Sequence, residues 1–124
     1  MLRKISSVLI RVNDVAEAID FYSDVFGLKP IWEDQQSQQA GLLFPESDAE
    51  IILHSDPTIS GQAIVQYLVD DVMAAVELYV TQGCTVLTEP FATRTGRGAI
   101  IQDPFGTRLY LIDMSKARRE AETL

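Results

Sequence analysis

Residues Val12 to Tyr22 read VNDVAEAIDFY, and residues Val69 to Tyr79 read VDDVMAAVELY. Val12, Asp14, Val15, Ala18 and Tyr22 recur as Val69, Asp71, Val72, Ala75 and Tyr79, at a constant offset of 57 residues. The intervening pairs Asn13/Asp70, Ile19/Val76, Asp20/Glu77 and Phe21/Leu78 keep polarity and approximate size. The chain is therefore built of two copies of one structural unit, too few for a solenoid and suited to pairing around a shared space.

Each copy repeats the same plan outward from this stretch. An extended run, Ser6 to Val12 or Ile64 to Val69, ends at an acidic pair whose side chains can cap a helix. Val15, Ala18, Ile19, Tyr22 and Phe26 follow at helical spacing before Gly27, as do Val72, Ala75, Val76 and Tyr79 before Gly83. Three extended runs come next: Leu28 to Asp34, Ala40 to Phe44 and Glu50 to His54 in the first copy, Thr85 to Phe91, Gly98 to Asp103 and Thr107 to Asp113 in the second. Gln35 to Gln39 reads as an exposed hairpin loop and Asp103-Pro104-Phe105-Gly106 as a turn. The predicted fold is α+β: two tandem strand-helix-three-strand (βαβββ) modules, residues 1–59 and 60–113, forming a curved mixed sheet around a concave cavity. A short helical tail is expected over 114–124.

Composition bounds what such a fold can meet. The 124 residues are 47% apolar, enough for one core, though neither half is expected to stand comfortably alone. A formal net charge of -8 repels nucleic-acid backbones and anionic membrane surfaces, so neither is an expected partner. Lys116, Arg118 and Arg119 are followed at once by Glu120 and Glu122, the pattern of a solvated tail helix. No apolar run approaches a membrane span, and the N-terminus lacks the long apolar stretch of a signal peptide, which points to the cytoplasm. Cys84 is the single cysteine, read as packing and not as chemistry.

Two stretches carry a family resemblance over almost the whole chain. VLIRVNDVAEAIDFYSDVFGL, Val8 to Leu28, resembles the opening strand and helix of glyoxalase I, and DPFGTRLYLID, Asp103 to Asp113, resembles the closing hairpin usually written Asp-Pro-Asp-Gly. The chain thus resembles the vicinal oxygen chelate superfamily: glyoxalase I, extradiol dioxygenases, and the fosfomycin and bleomycin resistance proteins. In its metal-dependent members four strands each give one ligand on the concave face, and the metal acts as a Lewis acid on an oxygen-bearing substrate. Carried over, those positions fall on Ser7, Ile52, Ile64 and Tyr110. Isoleucine has no donor atom, and His54 is the only histidine, so no metal and no cofactor are implied.

Strand alternation says what lines that face instead. It places Ser7, Leu9 and Arg11 there, with Glu50, Ile52 and His54, then Ile64, Gln66 and Leu68, then Arg108, Tyr110 and Ile112. Arg11 interrupts an apolar strand and calls for an anionic partner, either a ligand or an internal Glu50 or Glu33. In glyoxalase I the matching arginine contacts a glutathione carboxylate, so the resemblance implies an anionic ligand group. Trp32, the only tryptophan, alternates with Glu33 and is expected to point inward, either to stack on a planar ligand or to pack as core. His54 reads as a strand residue at a cavity rim or surface, and Phe105 as an exposed aromatic on a pocket lip or partner surface.

The functional expectation is a metal-independent binding protein that sequesters an amphipathic, anionic or aromatic small molecule. The candidate ligand-binding residues are Arg11, Ser7, Leu9, Trp32, Glu50, Ile52, His54, Ile64, Gln66, Arg108 and Tyr110. The alternatives are an enzyme using Glu50, His54 or Tyr110 in acid-base work, and a pseudo-enzyme interaction module. A homodimer is expected, since single-pair members of the superfamily commonly complete their cavities between chains and cyclic dimers are the commonest closed assembly.

Overall fold

The computed structural model describes residues 1–116, so most of the predicted tail, including Arg118 and Arg119, lies outside the described residues. The elements run β1 (Lys4–Arg11), α1 (Val15–Asp24), β2 (Lys29–Asp34), β3 (Gln39–Leu43), β4 (Glu50–His54), β5 (Ile64–Leu68), α2 (Val72–Thr81), β6 (Thr85–Ala92), β7 (Arg97–Gln102) and β8 (Arg108–Ile112). This is the expected α+β plan, two βαβββ modules, with strand ends displaced by one or two residues from those read in the sequence.

The helices start and stop where local chemistry dictates. The Asp14 carboxylate accepts the Glu17 N–H at 3.1 Å, and the Asp71 carboxylate accepts the Ala74 N–H at 3.1 Å. Each satisfies an amide that the first turn leaves unpaired, a contribution of about 1 kcal/mol. Beyond the other ends, Gly27 and Gly83 take φ of +74° and +109°, a region hostile to residues with a Cβ.

The residues sort into two compact units, Ile5–Val65 and a second made of Met1–Lys4 with the chain from Gln66 onward. In the first, strand order is β2-β3-β4-β1: β1 runs parallel to β4, and the other pairings are antiparallel. Val15, Leu28, Ala40, Leu42, Ile51 and Leu53 form its core, with Ile10, Val12, Ala18, Ile19 and Tyr22 packed against them. One face of this sheet therefore packs on α1, and the alternate residues point to the other, where Ser7 and His54 are also buried. Pro30 sits in β2, which pairs with β3 at the edge of the strand order, and a register shift follows between Pro30 and Trp32.

The second unit repeats the scheme in the order β5-β8-β7-β6, with β5 parallel to β8. Its core is Val69, Val72, Ala75, Val76, Ala99, Ile101 and Leu111, and Cys84 packs on it as expected. The first four residues belong to this unit because the Arg3 N–H donates to the Leu68 carbonyl at 2.8 Å and the Arg3 guanidinium lies 3.2 Å from Asp70.

Candidate ligand-binding face

In the first unit the strand register assembles the face opposite α1 in three rows. Ser7, Glu50 and Leu43 stand in one, Leu9, Ile52 and Gly41 in the next, and Arg11, His54 and Gln39 in the third. The helix side takes the alternating residues Ile51, Leu53, Ala40 and Leu42. All the candidate residues of this unit that lie on β1 and β4 thus share one face. Trp32 joins them from β2, where it pairs with Gly41.

The indole lies across Gly41. A Cβ added at Gly41 would collide with Nε1 and Cε2 of the ring, so this close approach demands glycine. The ring is fixed at its polar end, where Nε1 donates to Glu50 Oε2 at 3.1 Å. Glycine beneath and carboxylate beyond hold an aromatic surface on the free face of the sheet. Gly41 and Leu43 escape the sequence reading, although a signal exists. Gly98 stands 57 residues after Gly41, the offset of the repeat, and Phe91 lies over it, 2.9 Å from where a Cβ would be.

Arg11 does not take the internal acidic partners considered from sequence. Its Nη1 donates to the carbonyls of Ile59 at 2.8 Å and Pro57 at 3.3 Å, and the residue is exposed. Glu50 is engaged by Trp32, and Glu33 is exposed on β2. The guanidinium therefore pins the segment after β4, where Gly61 gives it room: a Cβ there would stand 2.7 Å from Nη2.

His54 departs from its expected place at a rim or surface, since it is only 1% exposed. Its Nδ1 accepts the Asp56 N–H at 3.2 Å, and its Nε2 is buried without a hydrogen-bond partner among the described residues. Burial lowers its pKa most; Asp56 pulls it up and Arg11 pushes it down. The net direction is down, so the ring is neutral at pH 7.

The second unit brings Gln66, Tyr110 and Ile100 into one row, and Arg108 opposite Gln102. Gln66 and Tyr110 are half-buried, Arg108 is exposed, and Ile64, two residues before Gln66 on β5, is buried. Phe105 is 90% exposed at the tip of its turn, which the Asp103 carboxylate ties by accepting the Phe105 and Thr107 N–H groups at 2.8 and 2.9 Å.

The four positions that the superfamily resemblance assigns to a metal hold Ser7, Ile52, Ile64 and Tyr110, two of them without any donor atom. Among the described residues no group of three His, Cys, Asp or Glu side chains converges on a possible ion site. The donor set does not fit a divalent metal. A cleft of about 180 Å³ opens elsewhere, beside the start of α1, between Asp14, Val15, Glu33, Asp34 and Gln39. Its three carboxylates make it a poor host for an anion. No helix is long and apolar enough to cross a membrane among the described residues.

Known structures share this architecture. Methylmalonyl-CoA epimerase from Mycobacterium tuberculosis superimposes with a TM-score of 0.78 at 21% identity, over 96% of this chain and 93% of that one. A single-residue variant of the Streptomyces coelicolor methylmalonyl-CoA epimerase, in complex with 2-nitronate-propionyl-CoA, gives 0.72 at 18% identity, over 93% and 99%. A structure described as an NAD-dependent benzaldehyde dehydrogenase from Legionella pneumophila gives 0.69 at 17% identity, over 87% and 97%. At these identities the likeness is one of fold, and a fold of this kind carries unrelated activities. No curated protein matches the sequence. The family profile of the glyoxalase/bleomycin resistance protein/dioxygenase superfamily matches residues 4–111, and the chain belongs to that superfamily.

Proposed function

We propose that the protein binds a small amphipathic molecule, anionic or aromatic, on the free sheet face of the Ile5–Val65 unit, and holds it without a metal and without altering it. The observation that carries this reading is the indole of Trp32, laid over Gly41 and fixed by Glu50 beside the apolar Leu9 and Ile52. An aromatic plate on a sheet face, bordered by polar groups, suits a ligand with a flat apolar part. The donors of Arg11 other than Nη1 are available to an anionic group. Gln66, Arg108 and Tyr110 are proposed as ligand-contacting residues of the second unit's own sheet face, and we propose that the protein is a cytoplasmic homodimer, whose dimeric state sedimentation at micromolar concentration tests.

A thermal-shift screen of metabolites and antibiotics tests the binding reading. A ligand at 100 times its dissociation constant stabilises the fold by about 2.7 kcal/mol, and recovery of that ligand unchanged after prolonged incubation supports sequestration. Conversion of the ligand overturns it.

A second reading, an enzyme using Glu50, His54 or Tyr110 in acid-base work, is favoured by the shared fold of methylmalonyl-CoA epimerases. Incubation with methylmalonyl-CoA in deuterated water separates the two: deuterium entering the carbon beside the thioester establishes the enzyme, and its absence leaves binding.

A further inference from the structure

His54 carries a hydrogen that nothing among the described residues receives. Its Nδ1 accepts the Asp56 N–H, so a neutral ring must hold its one proton on Nε2. That Nε2 is buried and has no hydrogen-bond partner there. A donor buried without an acceptor destabilises a fold, and native structures keep few of them.

Its surroundings give the orphan a direction. His54 shares its row with exposed Arg11 and half-buried Gln39, two long side chains, whereas the adjoining row is Leu9, Ile52 and Gly41 with the Trp32 ring above. Neighbouring rows on one face are two residues apart along each strand, about 7 Å. The face is thus polar at one row and apolar and aromatic at the next.

Building on the binding reading above, we propose that the face selects a ligand whose flat apolar body rests on Trp32 and whose carbonyl or carboxylate oxygen, about 7 Å away, accepts the hydrogen of His54 Nε2. Nε2 is buried in the free protein, so a ligand oxygen reaches it only as the side chains over the ring move aside. His54 is then a specificity-determining residue that reads for an acceptor at a set distance from the ring.

Nuclear magnetic resonance on protein labelled with ¹⁵N-histidine tests this with two probes, 4-phenylbutyrate, whose carboxylate stands off its ring by a three-carbon spacer, and benzoate, whose carboxylate is attached directly. The free protein should show the Nε2–H tautomer. Adding 4-phenylbutyrate should shift that resonance and change Trp32 fluorescence, with affinity about tenfold above that of benzoate, the value of one charge-assisted hydrogen bond. His54→Leu should erase this tenfold preference and raise the melting temperature, because an unsatisfied donor is removed. His54→Gln, which keeps an N–H, should restore part of the preference. A structural histidine would instead lower the melting temperature on substitution and leave affinity alone. Equal affinities for the two probes, a proton on Nδ1, or an Nε2–H bound to a buried water that 4-phenylbutyrate leaves in place each overturn the inference. If Trp32 responds while His54 does not, this inference fails and the binding reading stands. Binding of neither probe overturns the inference too, and the wider thermal-shift screen then decides the binding reading.

Discussion

The carboxylate of Asp113 accepts the backbone N–H of Val72 at 2.8 Å, joining the end of β8 to the first turn of α2 across 41 residues of sequence. Its other oxygen accepts the N–H of Arg97 at 2.9 Å and both the N–H and the hydroxyl of Ser115, at 3.1 and 2.7 Å. Asp113 is fully buried, and Gly96 makes room for it, since a Cβ there would meet the carboxylate.

Replacing Asp113 with Ala strands four donors in the interior. Asp113→Ala is expected to lower stability by about 3 to 5 kcal/mol, read by urea denaturation, whereas Asp113→Asn keeps the shape and should lose less. Burial alone would raise the pKa of this carboxyl, but the hydrogen bonds from Val72, Ser115 and Arg97 outweigh it and hold the pKa below the usual value. A depressed pKa contributes stability above the unfolded value of about 4. That contribution should vanish as pH falls through the folded value, and Asp113→Asn should flatten the acid limb of the stability curve. An unchanged acid limb in Asp113→Asn would assign acid sensitivity to other groups.

His54 adds a second pH dependence in a different window. Its pKa is lowered in the folded state, chiefly by burial, so the unfolded chain binds the proton more readily. Stability should fall as pH drops below the unfolded value of about 6.5 and level off below the folded one. Urea midpoints between pH 8 and pH 5 measure this, and His54→Leu should remove the slope in that range.

Gly41→Ala places a methyl group where the Trp32 ring lies, so the indole must move and its bond to Glu50 must break. A loss of about 1 to 3 kcal/mol is expected, as for overpacked sites, together with a red-shifted tryptophan emission. Wild-type emission in Gly41→Ala would show that the ring does not need the glycine.

Arg11→Leu should separate anchoring from binding. Its bonds to Pro57 and Ile59 lie at the surface, so the stability loss should be small, about 1 kcal/mol, and proteolysis between residues 55 and 61 should quicken. Affinity for an anionic ligand should weaken by roughly 1.5 to 3 kcal/mol if the guanidinium also reaches it. Unchanged affinity with faster cleavage would leave Arg11 a loop anchor alone.

The architecture was largely legible because it rests on local chemistry. The repeat, the capping Asp14 and Asp71 and the stop glycines Gly27 and Gly83 are all short-range signals, and each stands at its helix terminus. The candidate site was legible only as a set of residues on one sheet face. Alternation puts Ser7, Leu9, Arg11, Glu50, Ile52 and His54 together, as the register has them. Alternation could not foresee that Trp32 crosses Gly41, because this depends on the β2–β3 register around the irregularity between Pro30 and Trp32. The acceptors of Arg11 were hidden because they are carbonyls of a loop, which carry no side-chain signature. The burial of His54 likewise depends on what covers a strand end, which periodicity does not encode.

Gly41 is dictated by a neighbour's ring and not by its own backbone angles, which ties two positions into a single heritable unit. A larger residue at 41 becomes acceptable only once the aromatic at 32 has shrunk, so in descendants of this sequence the two sites should mutate in that order. Gly98 and Phe91 impose the same order on the other copy. Trp32 and Phe91 stand 59 residues apart and not 57, so the repeat keeps the glycine at its offset while the ring laid over it comes from a different strand position in each half.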